Sequence, residues 1–149
     1  PAQAAEMERQ RVLHQTSTRL TRRFKVICTE QLTVKNMTAS AKGTAEDPGS
    51  NVRQKAGLNR EILDTAPAAF LGMVRYKAEC AGGRMIEINT RKYKPSQTDP
   101  FTGEVKKKSL SQRVHVTADG RVIGRDVAAA MVILQVGMAQ HGKELADAA

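Results

Sequence analysis

Two short apolar runs with helical sequence between them set the strongest constraint on this fold. Val26-Ile27-Cys28 suits a buried strand that ends in Glu30, and "RMIEIN" supplies Met85, Ile86 and Ile88 to a second. Residues 3–23, ahead of the first run, lack Gly and Pro, and Met7, Val12, Leu13, Thr16 and Leu20 recur at helical spacing. Between the runs, Asn59 is placed to cap a helix with Ile62, Leu63, Ala66, Phe70, Met73, Val74 and Lys77 along one stripe. Pro67 kinks that helix or restarts it, and Ala81-Gly82-Gly83 ends it. Helix, strand, helix, strand predicts an α/β fold with parallel strands joined by a helical crossover. Two strands are few for a complete sheet. With Pro1 opening a helix-like segment, this leads to the expectation that sequence upstream supplies the rest.

The remaining segments read as connections and one small module. Residues 35–57 are rich in Ser, Thr, Gly, Asp and Pro without periodicity, which predicts a long loop. From Ser96 to Gly120 two turns stand out. "DPFTG" suits a type I turn with Pro at its second position, and Asp119-Gly120 joins a hairpin carrying Val114 and Val116 on one arm and Val122 on the other. A last helix starts near Arg125 with Val127, Met131, Leu134 and Met138 along it, and "KELADAA" is expected to fray. Aromatics make up only 3%, so Ala, Val, Ile, Leu and Met must fill the core. No run is long enough to cross a bilayer. Cys28 and Cys80 form no framework, which predicts a reduced, cytosolic setting.

The net charge of +9 is clustered. Arg91, Lys92, Lys94, Lys106, Lys107, Lys108 and Arg113 face only Asp99 and Glu104 between residues 91 and 113. Arg9, Arg11, Arg19, Arg22, Arg23 and Lys25 face Glu6 and Glu8 in the first 25 residues. Such clusters suit a polyanion, because each neutralised phosphate releases counterions; a merely soluble basic surface is the alternative. His14, His115 and His141 show no ligand spacing and are expected at surface or hairpin positions. Cys28 is expected to pack as a small hydrophobe and Cys80 to be inert. Two acids need explaining. Glu30 ends a buried strand, where a solvated carboxylate is the ordinary case. Asp126 opens a helix, where an acid ordinarily serves the dipole and the orphan N–H groups.

The linked motifs point further. "VICTEQLTVKNM" resembles the second motif of the RuvC-type nuclease domain of TnpB proteins, matching at Glu30, Leu32 and Val34–Met37. "RVLHQTSTRL" resembles the family's helix before that motif's strand, "GLNREILDTAPAAFLGMVRYKAECAGGRMIEIN" its following helix and strand, "KPSQT" and "KKKSLSQRVH" the segments that frame its zinc ribbon, and "GRDVAAAMVIL" its third motif. TnpB proteins are transposon-encoded, RNA-guided DNA endonucleases of prokaryotes, related to the compact type V CRISPR effectors. The resemblance implies an RNase H-like (RuvC-type) partial domain with an inserted, cysteine-free ribbon module. Its divisions are a core part at 1–95, the module at 96–123 and a C-terminal helix and tail at 124–149.

The resemblance further implies that Glu30 and Asp126 are catalytic carboxylates holding Mg²⁺ or Mn²⁺, because two-metal phosphodiester hydrolysis needs hard oxygen donors converging from separate elements. Arg19, Arg22, Arg23, Lys92, Lys94, Lys106, Lys107, Lys108, Arg113 and Arg125 would bind nucleic acid, with DNA and guide RNA as partners in a cytoplasmic setting. The family's first catalytic Asp lies upstream of the motifs matched here, so metal binding is expected to be weak. Asp99, Thr102, Thr117 and Asp119 stand where the family's ribbon has cysteines, and no zinc is expected. A nucleic-acid-binding remnant that does not cleave is the alternative reading.

Overall fold

Strands β1 (Val26–Glu30) and β2 (Arg84–Ile88) pair in parallel, from Val26 opposite Arg84 to Glu30 opposite Ile88. This is the pairing expected of two strands separated by a helical connection. The computed structural model describes residues 2–109 and 111–148. Leu110 of the KKKSLSQRVH segment, together with Pro1 and Ala149, lies outside the described residues. Contacts divide the chain into one unit of residues 1–24 and 32–82 and another of residues 25–31 and 83–149.

The first unit is helical. Helix α1 (Ala2–Arg23) packs against α4 (Pro67–Cys80), and α2 (Val34–Met37) and α3 (Val52–Thr65) lie between them in sequence. The buried face of α1 departs from the expected stripe. Met7 and Val12 are exposed, whereas Ser17, at 0% exposure, and Thr21 are buried. Both hydroxyls bond carbonyls of the preceding turn, Ser17 to Leu13 O at 2.7 Å and Thr21 to Ser17 O at 3.0 Å, so small polar residues enter this contact without orphaned groups. Lys77 of α4 spans the pair, donating at 2.8 Å to each of His14 O, Ser17 Oγ and Thr18 Oγ1.

Helix α3 begins at Val52, earlier than expected, and Asn59 is no cap. Asn59 Nδ2 instead donates to Thr38 O at 2.8 Å, and the Lys55 amine donates to Met37 O, so side chains anchor this helix to the preceding segment. The expected loop thus holds α2 and the start of α3. Ala66 is a left-handed joint (φ 47°) rather than part of a stripe, and Pro67 restarts the helix at its first position. Leu63 is exposed.

In the second unit, α6 (Arg125–Asp147) packs on β1 and β2 over Ile88, Ala128 and Val132. Val127, Leu134 and Met138 are exposed. Large apolar residues marked the wrong face because the helix approaches the sheet through its small ones. Gly137 is buried, and a Cβ there would stand 2.4 Å from Cys28 Sγ. The helix continues to Asp147, where fraying was expected. Arg84 contributes to that order, reaching Glu144 Oε2 at 2.8 Å and donating to His141 Nδ1 at 3.0 Å.

The Ser96–Gly120 module follows the short helix α5 (Thr90–Tyr93), capped by Asn89 Oδ1 on the amides of Arg91 and Lys92. Its hairpin pairs β3 (Val114–Val116) with β4 (Val122–Gly124), closed by a Thr117–Gly120 turn bond with Gly120 at φ 82°. Val114, Val116 and Val122 face outward while His115, at 3% exposure, points in beside Asp99 and Thr117. The module therefore has a polar interior. His115 sits in the hairpin as expected, but its ring is buried.

Candidate functional site

The end of β1 and the first turn of α6 border one cleft of the second unit. It has a volume of about 1000 Å³ and is lined by Glu30 and Asp126 together with Arg91, Lys94 and Lys107. Thr29, Thr90, Ser96 and Gln97 add polar edges, and Cys28, Ala129, Ala130 and Ile133 form the apolar part of the wall. Glu30 arrives there because pairing with β2 runs to the last residue of β1, beyond which Gln31 N donates to Ile88 O at 2.9 Å. Asp126 arrives because Gly124 starts α6 at the end of the hairpin.

Neither carboxylate is consumed locally. Glu30 is exposed, and Asp126 is 97% exposed without capping the helix by a side-chain bond. Arg125 Nε lies 3.9 Å from Asp126 Oδ1 and adds positive charge beside it. Burial pushes the Cys28 thiol up, which keeps it a neutral packing group. Among the described residues no three His, Cys, Asp or Glu side chains cluster closely enough to hold a metal ion. Mg²⁺ is commonly held by one or two carboxylates plus substrate phosphates and retains waters, so Glu30 and Asp126 are the residues that could hold such an ion in this cleft.

The expected nucleic-acid contacts separate into distinct settings. Lys94 and Lys107 line the cleft, as does Arg91, which charge clustering included but motif matching did not single out. Lys92 lies over the Tyr93 ring at 5.2 Å, and Lys106 pairs with Glu104 at 3.1 Å on the surface. Arg113 is exposed. Arg125 braces the module, Nη1 donating to Gln112 O at 3.0 Å. Lys108 turns inward, its amine donating to His115 Nδ1. Arg19, Arg22 and Arg23 lie in the first unit, along an open depression of about 570 Å³ on α1 with His14, Gln15 and Thr18.

The acids expected to replace ribbon cysteines are engaged with neighbouring groups. Asp99 Oδ1 accepts from the amides of Phe101 (2.8 Å) and Thr102 (3.0 Å), and Oδ2 accepts from His115 Nε2 (3.0 Å). The His115 bond first, then those amides, hold the Asp99 carboxyl well below the usual carboxylate range. The Thr117 hydroxyl donates to Asp119, and Arg121 Nε reaches Asp119 Oδ2 at 2.8 Å. The Thr117 bond is the first cause of the lowered Asp119 pKa. Sequence spacing carried no signal for the Asp99–His115 contact.

Comparison with known proteins gives two matches. Residues 68–133 match the family model "Cas12f1-like, TNB domain". A stretch of 76 residues, 51% of this chain, is 40% identical to the "Putative RNA-guided DNA endonuclease InsQ" of Escherichia coli (strain K12). That stretch covers 19% of the relative. The chain is thus TnpB-like and related to the type V effectors. Among the described residues no helix is long and apolar enough to cross a membrane.

Proposed function

Starting from this TnpB-like character, we propose that the chain is the C-terminal part of a transposon-associated, RNA-guided DNA endonuclease. In this reading β1, β2 and α6 belong to an RNase H-like (RuvC-type) core, divided as 1–95 and 124–149 around a ribbon-like module at 96–123. DNA and guide RNA are its partners in the cytoplasm. One observation carries the reading: Glu30 and Asp126, from separate motifs, line a single cleft with Arg91, Lys94 and Lys107. That combination suits a phosphodiester, with carboxylates for a divalent cation and fixed cations for the flanking phosphates.

Glu30 and Asp126 would hold Mg²⁺ or Mn²⁺, which when bound supplies charge stabilisation at the scissile phosphate. The protein's own part is to orient the strand. Lys94, Lys107 and Arg91 bind its backbone, and Ala129, Ala130 and Ile133 shape the wall beside it. No zinc is assigned to the module. Binding without cleavage is the second reading, supported by the lack of a third clustered ligand among the described residues.

Titration with Mn²⁺ in the presence of a short DNA strand tests the site. Enhanced relaxation from bound Mn²⁺ is expected with the native chain and reduced with Glu30→Gln or Asp126→Asn. DNA binding that proceeds with no Mn²⁺ uptake would favour the non-cleaving reading. Loss of DNA binding altogether would remove both.

A further inference from the structure

Three consecutive lysines enter three different environments. Lys106 pairs with Glu104 on the surface, Lys107 lines the carboxylate cleft, and Lys108 is half-buried against His115. We infer that Lys108, His115 and Asp99 form a metal-free strut that closes the module and, by holding Lys108 inward, positions Lys107 in the cleft.

The hydrogen bonds define the strut. The Lys108 ammonium can only donate, so His115 Nδ1 accepts from it, and His115 Nε2–H donates to Asp99 Oδ2 at 3.0 Å. The ring is therefore the neutral Nε2–H tautomer, lying between a cation and an anion. Asp99 completes the line with two backbone amides, so both of its oxygens are used. Arg125 is the other charged group acting on Lys108, and its repulsion is opposed by Asp99. The strut thus links the 97–108 arm to β3 through side chains alone.

Its effect on Lys107 follows from backbone register. Lys106 N donates to Gln97 O at 2.9 Å, and a bridge pairs Thr98 with Val105, so the chain just before Lys107 is pinned beside Gln97, itself a cleft residue. Lys108 is half-buried against His115 while its neighbour Lys107 is exposed and lines the cleft, so the anchored Lys108 fixes the backbone from which Lys107 projects. Lys108 and His115 are positioning residues, and Lys107 is the group they present.

Two measurements on the 149-residue chain test this. Nitrogen-15 spectroscopy of the histidines reads the strut directly. A neutral His115 ring with a slowly exchanging Nε2–H is expected, whereas an Nδ1–H tautomer or a rapidly exchanging doubly protonated ring would overturn it. The second measurement is the salt dependence of binding to a short DNA duplex, where each phosphate contact contributes about 0.9 to the log–log slope. His115→Gln changes no charge. It should nevertheless flatten the slope by about one contact, and Lys107→Gln added to it should flatten it no further. An unchanged slope in His115→Gln, or additive losses in the pair, would overturn the positioning role. Lys108→Met enters the same cycle should His115→Gln not fold. The Lys107 part rests on the nucleic-acid reading above. A native chain that binds no DNA defeats that reading and with it the role of Lys107, while the tautomer measurement still decides the strut.

Discussion

Gly137 and Cys28 touch so closely that the helix and strand carrying them leave no room for another methyl group. A Cβ at position 137 would stand 2.4 Å from Cys28 Sγ and 3.0 Å from its Cβ. The contact seats α6 on β1, the two elements that carry Asp126 and Glu30 to their cleft. Gly137→Ala should lower stability, because overpacking costs about 1–3 kcal/mol. Better helix propensity offsets about 1 kcal/mol of that. Cys28→Ala in the same chain should recover part of the loss by removing the sulfur. Urea unfolding of the two single variants and the double variant measures the coupling. Additive effects would mean that the helix shifts freely and that the close approach does not constrain the site.

That contact also shows where sequence patterning stopped being informative. The strands, their parallel pairing and the long helices were legible because apolar runs and helical spacing mark them directly. The helix faces were not. A stripe of Val127, Met131, Leu134 and Met138 is the natural choice by hydrophobicity, yet all of these but the half-buried Met131 are exposed while Ala128, Val132 and Gly137 are buried, since close approach favours small side chains such as Ala128 and Gly137. Ser17 and Thr21 on α1 were hidden for the same reason. In the hairpin the valines marked the two arms, whereas its interior holds a satisfied Asp99–His115 pair. At the site, Glu30 and Asp126 could be selected only through linked motifs. The separate orientations of Lys106, Lys107 and Lys108 depend on tertiary partners that no local pattern encodes.

Lys77 should matter to the helical unit although its charge is not deeply buried. Its amine bonds one carbonyl and two hydroxyls of α1. Lys77→Met retains the aliphatic stem and removes the donors. Ser17 keeps its bond to Leu13 O, so its hydroxyl stays satisfied. A loss of about 1–2 kcal/mol is expected on the scale of hydrogen bonds to charged groups. An unchanged melting temperature would assign the α1–α4 contact to apolar packing alone.

Stability should respond to pH at two ends through the module. Asp99 has a depressed pKa, so the unfolded chain takes up this proton more readily. Its contribution is present above the ordinary carboxylate pKa of about 3.9 and is lost as pH falls below that towards the folded value. Burial pushes the Lys108 amine down, so at alkaline pH the folded chain releases that proton first. Stability then rises with pH just below the ordinary lysine range, because the unfolded state binds more protons there. Melting profiles should show Asp99→Asn shrinking the acid loss and Lys108→Met shrinking the alkaline rise. Native and variant curves of the same shape would remove these groups from the linkage.

Module closure without zinc is open to direct measurement. Asp99 is engaged by His115 and two amides, and Asp119 by Thr117 and Arg121. Recruiting either acid to a metal would break those bonds. Protein purified without chelator should contain no stoichiometric zinc, and added chelator should leave its melting temperature unchanged. Stoichiometric zinc with a fall on chelation would show that Asp99, Asp119 and His115 rearrange into ligands.

The carboxylate pair gives the final prediction. Glu30 and Asp126 are both exposed, and the 3.9 Å approach of Arg125 to Asp126 is a weak surface contact, so Glu30→Gln and Asp126→Asn should change stability by less than about 0.5 kcal/mol, as for surface substitutions generally. Each should nonetheless weaken Mn²⁺ uptake, because removing one of two anionic oxygen donors leaves a single carboxylate for the cation. If both residues serve one cation, the double variant should bind no more weakly than the poorer single variant, since the second donor is useless once the first is gone. If they act on separate, unrelated ions, their effects should add. Calorimetric Mn²⁺ titration with and without a DNA strand separates these cases. Additive losses would contradict a shared site. Unchanged uptake in both singles would mean that the shared cleft is not a metal site, leaving Arg91, Lys94 and Lys107 to bind phosphate there without one.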